Sequence, residues 1–299
     1  MHQSLDFPAQ SSRQAAARRP GPVRGALRRA RRGALPAALL AAWLALPAPV
    51  AAQDRAQPAV EYHPEVGQAG KDVVWVPTPQ ELVDKMLDIA HVTPDDYLMD
   101  LGSGDGRTVI TAARRGLTAQ GIEYNPDMAE LARRNAAQAG VGERATFVTG
   151  DLFEADLTKA DVITMFLLPS INERLRPIIL DLKPGTRVVS NSFPMGDWQP
   201  DETATVGGEC RNWCTALLWI VPAKVAGNWQ LDGQDLKLEQ SFQMLSGTLG
   251  GAAISDARLH GDEIAFSANG ARYTGKVQGK TMSGSVAGGQ GGNWSARQL

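Results

Sequence analysis

Residues 73–222 predict an α/β domain built on a mainly parallel sheet, and residues 225–299 predict a small all-β domain. Three observations carry this reading. Short apolar strand patterns alternate with amphipathic helical ones from Leu82 to Phe193, which implies right-handed βαβ units. All 18 prolines lie at or before Pro222, and beyond it the chain turns glycine-rich and alternating. At 299 residues and 43% hydrophobic, the chain is long enough for one large domain and a smaller one.

The first helix is expected in "TPQELVDKMLDIA". Thr78 is placed to cap it, Pro79 suits its first position and Glu81 completes a capping box. Leu82, Met86 and Ile89 then recur at helical spacing to form one buried face. A strand follows at Tyr97–Leu101, a helix through Val109 to Arg115, a strand at Ala119–Glu123, and a helix opening at Asn125-Pro126 and stopped by Gly140. The strands "ATFVTGD" and "DVITMFLL", a helix capped by Ser170 with Glu173, and the strand "TRVVSNSF" complete the series. A last pair, Thr203–Val206 and Thr215–Val221, has no helix between its members and is expected as an antiparallel hairpin at the sheet edge. Beyond it, "LKLEQ", "EIAFS", "YTGKV" and "SGSVAG" read as short strands of a β-meander that curls into a partial barrel. "GNW" stands near both ends of this region, at 227–229 and 292–294, which suggests that the two tryptophans close one core.

Charge is unevenly spread. Residues 1–52 carry eight arginines and one acid, a net of +7, so the formal −2 of the whole chain leaves about −9 on residues 53–299. An acidic body argues against binding a phosphate backbone. The arginines are followed by "GALPAALLAAWLALPAPVAAQ", an apolar core ending in small residues before Gln53. This is the pattern of an export signal, or of a retained membrane anchor, and it places the protein as exported or membrane-associated. Residues 53–72 have no sustained periodicity and read as a linker. Cys210 and Cys214 are the two cysteines of the chain, close enough in sequence to pair across a tight hairpin in an oxidising compartment. His2, His63, His91 and His260 are scattered and suggest no metal site.

The chemistry concentrates in "YLMDLGSGDGR" at 97–107. Gly102, Gly104 and Gly106 permit a tight turn and a close backbone approach to a ligand. The spacing is G-x-G-x-G, which differs from the dinucleotide pattern G-x-G-x-x-G, and no P-loop lysine follows. Ligands on such sheets bind at the carboxyl ends of the strands.

"DLGSGDGR" resembles motif I of the class I S-adenosylmethionine-dependent methyltransferases. Glu123 in "GIEYN", 23 residues beyond Asp100, and Asp151 in "TGDLF" fall where that family has two further acids. The resemblance implies a Rossmann-like seven-stranded sheet with an antiparallel terminal hairpin, and S-adenosylmethionine as cofactor. Glu123 would accept from the ribose hydroxyls and Asp151 from the adenine amino group, with Leu152 as an apolar wall. "WVPTP", "DVITMFLLPSINERLRP" and "LKPGTRVVSNSFPMGDW" further resemble the family of mitochondrial lysine methyltransferases acting on ATP synthase subunit c and the adenine nucleotide translocase. In that family the "PTP" segment closes over the cofactor, which adds Thr78 to the cofactor set of Asp100, Gly102, Gly104, Gly106, Glu123, Asp151 and Leu152. The match covers roughly residues 73–222 and leaves the β-domain, and its partner, outside it.

A sulfonium methyl is already electrophilic, so the protein must hold a nucleophile in line and exclude water; no covalent protein nucleophile is required. A lysine acceptor must first lose a proton, which a partly apolar channel favours. Phe166, Leu168 and Pro169 at the end of the fourth strand are candidate channel walls. Asn191 and Ser192 at the end of the fifth are candidate partners for an amine. The expected acceptor is a protein lysine, with a membrane-associated protein in view. A small-molecule or lipid-linked acceptor whose site the β-domain shapes, or a cofactor-binding interaction module, are the alternatives.

Overall fold

The computed structural model describes residues 62–299 apart from 209 and 290; the expected export segment and the first part of the linker lie outside the described residues. The α/β domain contains α1 (Gln80–Ile89), β1 (Tyr97–Leu101), α2 (Arg107–Arg114), β2 (Thr118–Glu123), α3 (Pro126–Gln138), β3 (Ala145–Thr149), β4 (Val162–Met165), α4 (Pro169–Leu180), β5 (Arg187–Asn191), β6 (Glu202–Thr205) and β7 (Thr215–Ile220). Its seven strands run in the order β3-β2-β1-β4-β5-β7-β6. β1 to β5 are parallel, while β7 pairs antiparallel with both β5 and β6.

Alternation along the strands feeds two cores. Leu98, Val162 and Val189 face one side, with Leu82, Met86, Val109 and Ala132 of α1, α2 and α3 packed on it. Met99, Leu101, Ile163 and Val188 face the other, covered by Ile171, Leu175 and Ile179 of α4. Each fully buried aliphatic side chain of this kind contributes about 1.5–3 kcal/mol relative to exposure.

Helix starts differ in detail from the sequence expectation. Asn125 caps α3 as read, its side chain accepting from the N–H groups of Asp127 and Met128. Thr78 caps nothing: Pro79, in extended conformation, is the residue before α1, so Thr78 stands one residue too early for its hydroxyl to reach the first turn. Ser170 likewise lies inside α4, because Pro169 fits the first helical position and moves the boundary to Leu168.

Nine strands follow: β8 (Gly227–Leu231), β9 (Gln234–Ser241), β10 (Met244–Leu249), β11 (Ala252–Ala253), β12 (Ser255–His260), β13 (Glu263–Ala268), β14 (Ala271–Gln278), β15 (Thr281–Ala287) and β16 (Gly292–Gln298). The meander closes completely. Apart from the two-residue β11, each strand pairs with the next, and β16 returns to β8, giving an eight-stranded antiparallel barrel. Closure pairs β8 on both sides, whereas the two-residue β11 pairs with β10 alone. Both "GNW" tryptophans are buried in the barrel's core with Phe266 and Leu259. Gly275 makes room for one of them, since a Cβ there would come within 2.6 Å of the Trp294 ring.

The barrel is fixed to the sheet edge rather than tethered. Trp198 Nε1 donates to Gln243 Oε1 at 2.9 Å, the Trp198 ring stacks on Phe242 at 5.8 Å, and Arg258 pairs with Asp201 at 2.8 Å. The amide of Ala223 donates to Gly261 O, and Lys224 pairs with Asp181. These contacts lie at the amino-terminal end of β5 and the carboxyl end of β7, away from the carboxyl ends of the parallel strands.

Candidate functional site

A cavity of about 420 Å³ opens at the carboxyl ends of the parallel strands. Its floor is the turn between β1 and α2. The amides of Gly102 and Ser103 both donate to Ile122 O, at 2.9 and 3.0 Å, folding the turn over the end of β2. Gly104 has φ of +54°, and a Cβ on it would stand 2.6 Å from Trp75 Nε1. Glycine is therefore required there twice, by its backbone conformation and by the indole above it.

Glu123 ends β2 and ties this floor together. Its Oε2 accepts from the Gly104 amide at 2.9 Å and its Oε1 from the Asn125 amide at 3.0 Å. Asp100 ends the same wall from β1 and accepts from the Thr164 hydroxyl at 2.7 Å. It is 6% exposed. Burial pushes its carboxyl up to about 7; the Thr164 bond opposes this and the nearby Glu123 and Asp105 add to it. Asp151, after β3, accepts from the Phe153 amide at 2.9 Å and from Lys71 Nζ at 2.5 Å. The Lys71 bond holds the Asp151 carboxyl below the ordinary range.

Lys71 belongs to a strap that covers the cavity. The Gly67 amide donates to Trp75 O, the Trp75 amide donates to Gln68 O, and the Gly70 amide closes the turn on Val73 O. Residues 68–72, read from sequence as the end of a linker, thus line the cavity, because Lys71 reaches Asp151 and lies 4.8 Å over the Tyr124 ring. Thr78 completes the strap. It is buried, its hydroxyl accepts from Asn191 Nδ2 at 3.3 Å, and its carbonyl accepts from Arg107 Nη1 at 2.9 Å.

The expected cofactor residues gather here with one exception. Thr78, Asp100, Gly102, Gly104, Glu123, Asp151 and Leu152 all line the cavity, and Gly106 does not. Gly106 is a packing residue: a Cβ on it would meet Phe147 at 2.7 Å and Ala132 at 2.9 Å, where α2 approaches β3 and α3. On the acceptor side Phe166 and Leu168 line the cavity, whereas Pro169, Asn191 and Ser192 do not. Pro169 is absorbed in the start of α4. Asn191 is fully buried behind Thr78, and Ser192 turns to Thr215, its amide donating to Thr215 O at 2.7 Å.

Sequence reasoning passed over Lys71, Trp75, Phe193 and Trp213, all of which line the cavity. Trp75 and Phe193 stand inside the quoted stretches "WVPTP" and "SNSF". Trp213 had a signal of another kind, since it lies between two cysteines that are joined in a disulfide.

A model of the ANTKMT methyltransferase domain matches residues 100–202. A protein-lysine N-methyltransferase of Saccharolobus islandicus is 47% identical over 137 residues, covering 45% of this chain and 85% of that protein. The chain belongs to this methyltransferase family. A mouse adenine nucleotide translocase lysine N-methyltransferase is 37% identical over 144 residues, and the chain spans 62% of its length. Among solved structures, an RNA methyltransferase from Salinibacter ruber in complex with S-adenosyl-L-homocysteine is 50% identical, covering 50% of this chain and 96% of that one, with a TM-score of 0.47.

The family's cofactor is S-adenosylmethionine, and the residues of the cavity fit it. Three carboxylates converge on one end, a set of acceptors for a ligand that brings hydroxyls, amines and a positive sulfur. Ser103 Oγ, buried in the cavity wall, has no partner in the protein.

Proposed function

We propose that this protein methylates the side-chain amine of a protein lysine. The observation that carries the reading is the division of one cavity into two ends. At one end stand Asp100, Glu123 and Asp151; at the other, Phe166, Leu168, Phe193 and Trp213 bring no formal charge. The names of the archaeal and mouse relatives support lysine as the acceptor. The net of about −9 on residues 53–299 weighs against a nucleic-acid acceptor.

Bound S-adenosylmethionine supplies an electrophilic methyl group on a positive sulfur. In our reading Glu123 accepts from the ribose hydroxyls and Asp151 from the adenine amino group beside Leu152. Asp100 and the turn Gly102–Gly104 hold the amino-acid end, and the strap from Lys71 to Thr78 shields the whole from water. The incoming amine gives its proton to water before transfer, because only its free lone pair can attack the methyl carbon. Holding amine and methyl in line supplies up to roughly 7–11 kcal/mol of the barrier reduction. Among the described residues, those that line the cavity belong to the α/β domain and the strap before it, which supports an acceptor site built there; the barrel's partner is a separate matter.

We further place the protein outside the cytoplasm or at a membrane, with a membrane-associated protein as substrate. The disulfide between Cys210 and Cys214 supports an oxidising compartment. Protease treatment of intact cells, with and without permeabilised outer layers, tests this; protection under both conditions argues against it.

Incubation of the purified protein with radiolabelled S-adenosylmethionine and, in parallel, membrane proteins, lipid extract and RNA tests the acceptor. Label in protein, located on lysine by mass spectrometry, is the expected outcome. Label in lipid or RNA instead overturns the lysine reading, and label in none of them overturns the enzymatic one.

A further inference from the structure

Phe166, Phe193 and Trp213 form an aromatic cluster at the uncharged end of the cavity, and each comes from a different loop. Phe166 follows β4, Phe193 follows β5, and Trp213 sits in the connection between β6 and β7. The Phe166 ring stacks on Phe193 with centroids 5.8 Å apart and an interplanar angle of 18°. It meets Trp213 edge-on, again at 5.8 Å, at 60°. Trp213 is the outermost of the three, 43% exposed, and its φ of +54° is one that a tryptophan rarely adopts.

That conformation is held by cross-links on both sides. The disulfide between Cys210 and Cys214 closes a five-residue loop around it. Immediately beyond, the Val206 amide donates to Cys214 O at 2.9 Å, and Ser192 and Thr215 exchange hydrogen bonds that join the end of β5 to the start of β7. Phe193 and Trp213 are therefore brought together by one stitched corner of the sheet. A tryptophan half in solvent, in a strained backbone, fixed by a covalent loop against two phenylalanines, has little to do for stability. The arrangement suits an aliphatic ammonium, which is attracted to aromatic faces and most strongly to tryptophan. Methylation does not remove that attraction, because methylated ammoniums keep their charge and gain apolar surface.

We propose that Trp213, positioned by the Cys210–Cys214 loop, is a specificity-determining residue of the acceptor site, and that the three rings form a recognition pocket for an alkylammonium group in its methylated states. This rests on the methyl-transfer reading above and adds what selects the acceptor. The disulfide acts as a positioning element, and reduction of the loop would loosen the outer wall without touching the cofactor end.

Calorimetric titration of the protein, saturated with S-adenosylhomocysteine, with butyltrimethylammonium tests the pocket without requiring turnover. Wild type is expected to bind it, Trp213→Ala to lose at least tenfold in affinity, Trp213→Phe to recover most of the loss, and Cys210→Ser/Cys214→Ser to lose about three- to fivefold. S-adenosylhomocysteine affinity is expected to stay within twofold throughout. Absence of binding by wild type, or equal binding by wild type and Trp213→Ala, overturns the proposal. Binding of the cation by a protein that labels no lysine would leave the pocket standing and remove the lysine reading, so the two failures are distinguishable. With a labelled protein acceptor in hand, Trp213→Ala should raise KM more than it lowers kcat; a fall in kcat with unchanged KM would overturn the specificity role.

Discussion

At the turn between β1 and α2, three carboxylates on successive strand ends face one ligand volume, and two of the three are bonded to backbone amides of the site's own loops. The mouth of the same cavity has aromatic rings from three loops and, among the described residues that line it beside them, no carboxylate. The difference follows from what each end must do. A fixed cofactor, with hydroxyls and amines at set positions, requires acceptors held by regular structure. A varied acceptor chain requires a shielded, apolar approach, which loops supply and can vary.

The comparison is broken most strongly by Glu123→Ala. This removes both amide partners at once and leaves the turn unsupported, and hydrogen bonds to a charged group are worth about 1.5–3 kcal/mol each. S-adenosylmethionine affinity by calorimetry should fall about 100-fold or more, while butyltrimethylammonium binding should change little. Gly104→Ala comes next. Its Cβ meets Trp75 Nε1 in a left-handed backbone, so an affinity loss of about tenfold is expected. Pairing it with Trp75→Ala should recover part of the loss; a double variant no better than the single one would show that the indole is not the obstacle.

Asp100 gives the comparison a pH dependence. Its carboxyl, buried and raised to about 7, must ionise to face a positive ligand. Cofactor affinity should therefore fall as pH drops below about 7, by up to about tenfold per unit, and Asp100→Asn should flatten the profile. The stability of the cofactor-free protein runs the other way. Because the folded value lies above the ordinary carboxyl value of 3.8, the unfolded chain ionises first, and this residue's contribution is present below about pH 4 and lost as pH rises through about 7. Asp100→Asn should accordingly raise Tm at pH 8 and change it little at pH 4. The smallest effect is expected from Lys71→Ala, since its pair with Asp151 is solvent-accessible. A loss of about two- to threefold in cofactor affinity is expected, diminishing with added salt.

The two ends also differ in how legible they were. Asp100, Glu123 and Asp151 are legible through the resemblance to the methyltransferase motifs, which sets an acid at or just beyond each of three successive strands. Phe166 and Leu168 are legible as the end of the fourth strand, where the resemblance places the methyl. Phe193 and Trp213 are not, because an isolated aromatic in a loop has no period, and their meeting depends on β7 pairing with β5 across the 23 residues between Asn191 and Thr215. The same limit explains Gly106, which shares the glycine loop's pattern yet serves the packing of α2 on Phe147 and Ala132. It explains Asn191 too, whose place at the end of β5 suggested an amine partner while the strap put Thr78 between it and the cavity.

The sequence by itself determined the alternation of strands and helices, the glycine turn with its strand-end acids, and the change to a β-rich region after Pro222, because these are local patterns or simple repeats of them. Only the tertiary structure decided that the strap from Gln68 to Thr78 covers the cavity, that the barrel closes by pairing β16 with β8, and that Trp198 seats it against Gln243 and Phe242. Each depends on residues distant in the chain meeting under packing constraints, and packing is satisfied by the whole fold at once rather than by any stretch of sequence within it.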